Sequence, residues 1–136
     1  MPARPATIPA LTASPTVADL IRHGAARFES AGLAFGHGMA DAVDEAAALV
    51  FHALDLDHAE AEAAYARRPD AAGVASALSL FDARIERRVP AAYLMGCMWF
   101  AGLEFEVDPR VIVPRSPFAE LIHAGFAPWI DPTGVR

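Results

Sequence analysis

The chain is expected to fold as a mainly α protein, a small helical bundle of four to five helices followed by a C-terminal β-hairpin. Three observations predict this. Apolar residues recur at helical spacing along most of the chain up to Arg88. The apolar period then drops to two around the Ala101-Gly102 pair of "CMWFAGLEFEV". A length of 136 residues, 54% of them hydrophobic, suits one core that needs neither metal nor disulfide.

Residues 1–14 hold three prolines before position 13 and no apolar period, so they read as a flexible tail. Ser14 followed by Pro15 is a helix start, a hydroxyl to cap free amides and then a residue whose missing N–H costs nothing in a first turn. Val17, Leu20, Ile21, Gly24 and Phe28 continue the period, which gives a helix over about 15 to 31. A second runs from Met39 or Asp41 to Leu54, with Val43, Ala46, Ala47, Val50 and Leu54 inward and three carboxylates near its positive end. A short third helix, "DHAEAEAAYARR", starts at the cap Asp57 and stops at Pro69. The fourth starts near Asp70, turns Val74, Leu78, Phe81 and Ile85 to one side, and ends in "RIERRVP", where Pro90 forbids continuation. Alanine-rich stripes let such helices approach closely as an antiparallel bundle over 15–90.

Beyond Pro90 the region 91–115 reads as the hairpin. Pairing Phe100 with Leu103 puts Met98, Phe100, Leu103 and Phe105 on a dry face and Trp99, Glu104 and Glu106 on a wet one, with Gly102 in the turn. "DPR" makes a second turn and "VIV", 111–113, a third short strand closed by Pro114. Residues 116–136 start a new helix, with Ser116 as cap, Pro117 at its first position and Glu120 in its first turn, and continue as a proline-punctuated linker.

Charge narrows the partners. With 17 acidic residues against 11 basic ones, all arginine, the net charge of -6 repels phosphate backbones and disfavours direct nucleic-acid binding. A basic protein is the easier partner. No membrane span is expected, because the longest apolar run is broken by His52 and two aspartates. One cysteine, Cys97, and no secretory leader point to a cytoplasmic address.

Catalytic and metal chemistry finds little footing. The carboxylates and histidine of "DLDHAEAE" lack the glycine and spacing of a metal loop, and His23, His37, His52, His58 and His123 form no ligand pair, so no metal is expected. Cys97 has no neighbouring base and reads as a packed thiol. No serine elbow or phosphate-cradling glycine loop is present, and no catalytic residue is assigned. The stretch "PRSPFAEL" stands apart. A strand ending in Pro114-Arg115 and feeding into a capped helix would hold Arg115, Ser116 and Glu120 at one rigid corner, either as a plain turn with a surface ion pair or as a site.

The segment from Arg87 to Ile122 resembles the hinge region of the glutamine N5-methyltransferases that modify release factors and ribosomal proteins. The resemblance rests on Pro90, Tyr93 and Gly96, then Phe100, Gly102, Phe105 and Val107, and last Pro114 and Arg115. The order Arg115-Ser116-Pro117 with Glu120-Leu121-Ile122 resembles the branch that acts on a large-subunit ribosomal protein more than the release-factor branch. The resemblance implies a helical substrate-recognition domain, a hairpin hinge and then a Rossmann-like catalytic domain that binds S-adenosylmethionine. The glycine-rich loop and Asn-Pro-Pro-Tyr motif of that last domain do not occur in this sequence. The chain is therefore expected to be the N-terminal domain alone, a monomer that by itself binds no cofactor and transfers no methyl group. Phe105, Pro114, Arg115, Ser116, Pro117 and Glu120 are its candidate cleft-facing or substrate-binding residues, and its expected partners are a basic ribosomal protein and its own catalytic domain. A free-standing helical interaction module, docking through the hairpin's apolar face, is the alternative from another class.

Overall fold

The computed structural model describes residues 7–36, 38–114, 116–127, 129 and 130. The expectations for the first six and last six residues, for His37 and for Arg115 lie outside these. The fold is mainly α with a small antiparallel hairpin, in the order α1 (Val17–Ser30), α2 (Ala42–Ala53), a 3-10 turn (His58–Glu60), α3 (Ala61–Ala64), α4 (Ala71–Arg87), α5 (Ala91–Met95), β1 (Cys97–Phe100), β2 (Leu103–Glu106) and α6 (Phe118–His123).

Helix α1 starts at Thr16, not at Ser14. The Thr16 hydroxyl accepts the Asp19 amide at 3.1 Å while the Asp19 carboxylate accepts the Thr16 amide at 2.9 Å, a reciprocal box that outcompetes the Ser14-Pro15 signal. The two remaining free amides of this turn donate to the bundle, Val17 to the Arg67 carbonyl at 2.9 Å and Ala18 to the Tyr65 carbonyl at 3.1 Å. Those two bonds tie the segment after α3 to the start of α1. The predicted stripe is the observed one, with Val17, Leu20, Ile21, Gly24, Ala25 and Phe28 all buried.

Gly24 is required by packing. A Cβ there would lie 2.5 Å from Cζ of Phe81, whose ring is fully buried and meets Phe28 edge-on at 5.4 Å between centroids. Thus α4 seats its largest side chain in a notch on α1, and Leu49, Val50 and Phe51 of α2 complete the core.

In α2 the inward stripe is offset from the expected one. Asp41 caps it, accepting the Val43 and Asp44 amides, but Val43 is 52% exposed while Ala42, Glu45, Ala46, Leu49 and Val50 are buried. The offset follows from Glu45, which turns inward to meet Arg84 of α4. Arg84 Nε donates to Glu45 Oε1 at 3.0 Å and an Arg84 terminal nitrogen donates to the Ala34 carbonyl at 3.1 Å. Burial makes Arg84 an internal strut of the bundle. Arg88, in the left-handed region at φ 54, turns back and donates to the Ala31 and Gly32 carbonyls at the end of α1. The third helix is also shorter than expected, its first turn being 3-10 with Asp57 as cap.

Past the bundle, two expectations change. Pro90 stops α4 but opens the one-turn helix α5 where the hairpin was expected to begin, and "VIV" forms no strand because no neighbouring strand offers it a ladder. The hairpin itself keeps the expected register, Met98 opposite Phe105 and Phe100 opposite Leu103. Ala101 at φ 50 and Gly102 at φ 80 form its two-residue turn, both central residues being left-handed as a type I′ turn requires.

Candidate functional site

Four of the residues that carry the family resemblance, Pro90, Tyr93, Gly96 and Val107, hold joints of a compact frame around the hairpin. Pro90 sits at the N-cap of α5, and Gly96 ends that helix in the left-handed region, φ 74, with its amide on the Ala92 carbonyl at 2.8 Å. The Gly96 carbonyl accepts the Val107 amide at 3.0 Å, which closes the open end of the hairpin. Tyr93 lies in α5 between Pro90 and Gly96, and its hydroxyl donates to the Val111 carbonyl at 2.6 Å. That bond latches the 111–113 segment to α5 in place of the strand pairing it lacks.

A second small core sits under this frame. Ala92, Met98, Val107 and Val113 are buried together, with Met39 and Tyr93 packed against them. Met98 reaches back to the loop before α2, where Gly38 at φ 86 leaves room for its methyl. Asp108 then turns the chain. Its carboxylate accepts the Arg110 amide at 2.9 Å and the Arg110 guanidinium, which holds the Asp108 carboxyl below its usual range and raises the Arg110 guanidinium above its own.

The corner follows from Val113. Buried Val113 and the Tyr93 latch fix the approach of Pro114, which is half-buried, and Ser116 and Pro117 lead into α6. The Ser116 hydroxyl accepts the Phe118 amide at 3.1 Å, but Pro117, with φ -63 and ψ -11, takes the N-cap position expected of Ser116, so the helix starts one residue later than expected, at Phe118. Glu120 is exposed in the first turn of α6 and has no ion pair among the described residues. Ser116, Pro117 and Glu120 are thus brought into one turn. Phe105 is not: it stands on β2, 40% exposed, with its ring edge-on to Phe100 at 6.5 Å.

The dry face of the hairpin is dry only at its root. Met98 is 7% exposed, yet Leu103 is 62% exposed, and beyond the corner Phe118, Ile122, Phe126 and Trp129 are exposed as well. Cys97 lies half-buried on the other face, where burial first and then the Glu104 carboxylate push its thiol up. Among the described residues no group of three or more histidine, cysteine, aspartate or glutamate side chains converges as a metal site, and no helix is long and apolar enough to cross a membrane.

Sequence reasoning missed the Glu45–Arg84 strut, which matters to the frame because Glu45 Oε1 also accepts the Ala91 amide, at 3.4 Å, where the bundle passes into α5. An arginine at a helical i+3 step from Phe81, on the apolar side of α4, was the available signal.

These features define a helical module joined to a latched hairpin whose apolar face is left open. No protein-family profile matches the chain. It is 53% identical over 115 residues to a ribosomal protein uL3 glutamine methyltransferase of Xanthomonas campestris pv. campestris, covering 85% of this chain and 37% of that protein. A protein of the same name from Xylella fastidiosa is 51% identical over 89% of this chain and 39% of its own length, and one from Bordetella pertussis 46% identical over 89% and 41%. The chain is accordingly similar to ribosomal protein uL3 glutamine methyltransferases, and it spans about two-fifths of the length of the curated relatives it matches.

Proposed function

We propose that this chain is the substrate-recognition region and hinge of an S-adenosylmethionine-dependent protein-(glutamine-N5) methyltransferase acting on the large-subunit ribosomal protein uL3. The observation that carries the reading is the similarity, at 43 to 53% identity over most of the chain, to proteins that bear that activity in their names. In this reading residues 15–90 bind substrate and 91–115 carry the hinge.

The described residues of this chain do not fit the cofactor. Strand β2 runs into "VDPR" and a tight turn, not into a glycine-rich loop opening a helix, so the described backbone offers no cradle for S-adenosylmethionine. What the chain's own residues can do is position. An amide nitrogen is a weak nucleophile, and its transfer chemistry depends on holding the substrate in line, which a single bound side chain cannot do. The bundle supplies a folded surface of net negative charge for a basic protein, and electrostatic complementarity of that kind raises encounter rate and selectivity. The turn of Ser116 and Pro117 presents Glu120 at the start of α6, where polar contacts to the rest of a longer enzyme lose little side-chain entropy. The exposed apolar residues of the hairpin and α6 support the same reading, since a patch of this composition is ordinarily covered by another surface.

Arg115→Ala separates a functional corner from a structural one. In this chain the substitution should change unfolding free energy by no more than about 0.5 kcal/mol. In a protein of the relatives' full length it should lower uL3 methylation, read by mass spectrometry as gain of a methyl group on one glutamine, by about tenfold or more. The 136-residue chain alone should transfer no methyl group in the same assay. A destabilised chain with unaltered turnover would reduce the corner to a turn. Docking of the hairpin face on an unrelated protein, with no methylation of uL3 by the longer protein, would favour the free-standing module.

A further inference from the structure

A groove of about 880 Å3 opens between α2, the 3-10 turn and the Trp99 face of the hairpin. Its floor is apolar, built from Ala47, Ala48 and Phe51 of α2 with Met95 and Met98 from the frame. Two aromatic side chains, Tyr65 at 42% and Trp99 at 58% exposure, stand in its walls. Four carboxylates, Asp44, Asp55, Asp57 and Glu104, also line it, while no arginine is among its described lining residues. The ion pairs among the described residues engage Asp19, Glu45, Asp82 and Asp108, so none of the four groove carboxylates is neutralised by an arginine. In the β-ladder Glu104 stands directly opposite Trp99 on the same face, which sets a carboxylate beside an open indole.

We propose that this groove holds an extended cationic segment of polypeptide in which arginine or lysine alternates with apolar side chains. The proposal rests on the substrate-recognition reading above and names the part of the substrate that the bundle takes. Alternation matches the groove because successive side chains of an extended chain point in opposite directions. One set lies on the methionine and alanine floor, and the other reaches the carboxylates. Lysine and arginine stems can cover apolar surface while their heads stay at a charged edge, and an exposed indole or phenol face attracts a cation directly. Nucleic acid is disfavoured by four carboxylates facing its phosphates, and a second copy of this chain would bring the same charge and a further net -6.

The test compares two charge-neutralising triple variants of this chain that preserve side-chain size. Asp44→Asn, Asp55→Asn and Glu104→Gln remove three of the four groove carboxylates, whereas Glu29→Gln, Glu62→Gln and Glu86→Gln remove three exposed carboxylates that do not line it. Fluorescence anisotropy measures binding of two labelled probes, purified uL3 and a synthetic peptide of alternating arginine and leucine. The groove variant should weaken binding of both probes by about tenfold or more and flatten the salt dependence, and the distal variant by less than about threefold. Trp99→Ala should weaken both probes in the same order while leaving the far-ultraviolet circular dichroism unchanged. Equal weakening by the two triple variants, or failure of the chain to bind either probe, overturns the proposal. If uL3 binds without distinguishing the variants, the groove is wrong and the uL3 reading survives. If only the peptide binds, with the expected difference, the groove stands and the uL3 reading falls.

Discussion

The helical bundle and the hairpin frame use the same apolar residue types to opposite ends. From Val17 to Arg87 the large aliphatic and aromatic side chains other than Val43 and Tyr65 are buried or half-buried, and Phe28, Phe51, Phe81, Leu20 and Leu49 are essentially without solvent contact. From Trp99 onward the pattern inverts. Ten of the thirteen exposed large hydrophobic residues among those described lie between Trp99 and Ile130. The frame holds its shape through a few buried anchors, the Tyr93 latch and glycine-terminated turns, not through a core that consumes its apolar surface. Burial stabilises by roughly 25 cal/mol per Å2 of apolar area removed from water, so the bundle spends its hydrophobic residues on itself while the frame keeps most of its own for contact with something else.

Substitutions can break this contrast, and the largest effects belong in the bundle. Phe81→Ala removes a fully buried ring wedged against Gly24 and should cost about 3 to 5 kcal/mol in urea unfolding through the cavity it leaves. Glu45→Ala should cost a comparable amount, about 3 to 5 kcal/mol, by stranding the buried Arg84 guanidinium, whereas Glu45→Leu with Arg84→Met should recover most of that loss. A single-substitution cost under about 1 kcal/mol would place the strut in solvent exchange and remove it as the tie between bundle and frame.

Gly24→Ala sharpens the comparison at smaller scale. Alanine is the better helix former by about 1 kcal/mol, yet its Cβ collides with a ring that has nowhere to move, so a net loss of about 1 to 3 kcal/mol is expected. A net gain in melting temperature would show that Phe81 slides readily, and with it α4 over α1.

Acid separates the start of α1 from the rest. Hydrogen bonds from Thr16 and then Arg22 lower the Asp19 carboxyl from 3.8 to about 2. A carboxyl depressed in the folded state contributes its full stability above the unfolded value and loses it as pH falls through the folded one. The wild-type chain should therefore lose this contribution between about pH 4 and pH 2, and Asp19→Asn should lose stability at neutral pH but less on acidification through that window. Parallel acid curves for the two proteins would mean that the capping box does not persist in solution.

The smallest effects belong to the frame. Leu103→Ser and Phe118→Ser each alter a side chain that is more than half exposed and should leave the stability of this chain within about 0.5 kcal/mol. The same pair should lower its binding to hydrophobic dyes and its tendency to self-associate, read by light scattering. A marked loss of stability from either would show that the hairpin face is packed in solution, and the contrast between the two regions would dissolve.

The sequence by itself determined the local geometry of this protein. The stripe of α1, the cap Asp57, the helix starts near Asp41 and Asp70 and the two-residue turn at Ala101-Gly102 were all legible, because each depends on residues no more than a few positions apart. The Thr16–Asp19 box was equally local and only stood behind a competing Ser-Pro signal. Tertiary structure decided what depends on distant partners. Val43 faces water because Glu45 turns inward to an arginine 39 residues away, and α5 is too short at five residues to display a period. "VIV" has the composition of a strand but no neighbour, so one valine is buried, one lends its carbonyl to Tyr93 and the isoleucine between them is left in water. The groove beside Trp99 joins α2 to β1 across more than forty positions of chain, a juxtaposition that no periodicity encodes, because it exists only once two separately specified elements have packed.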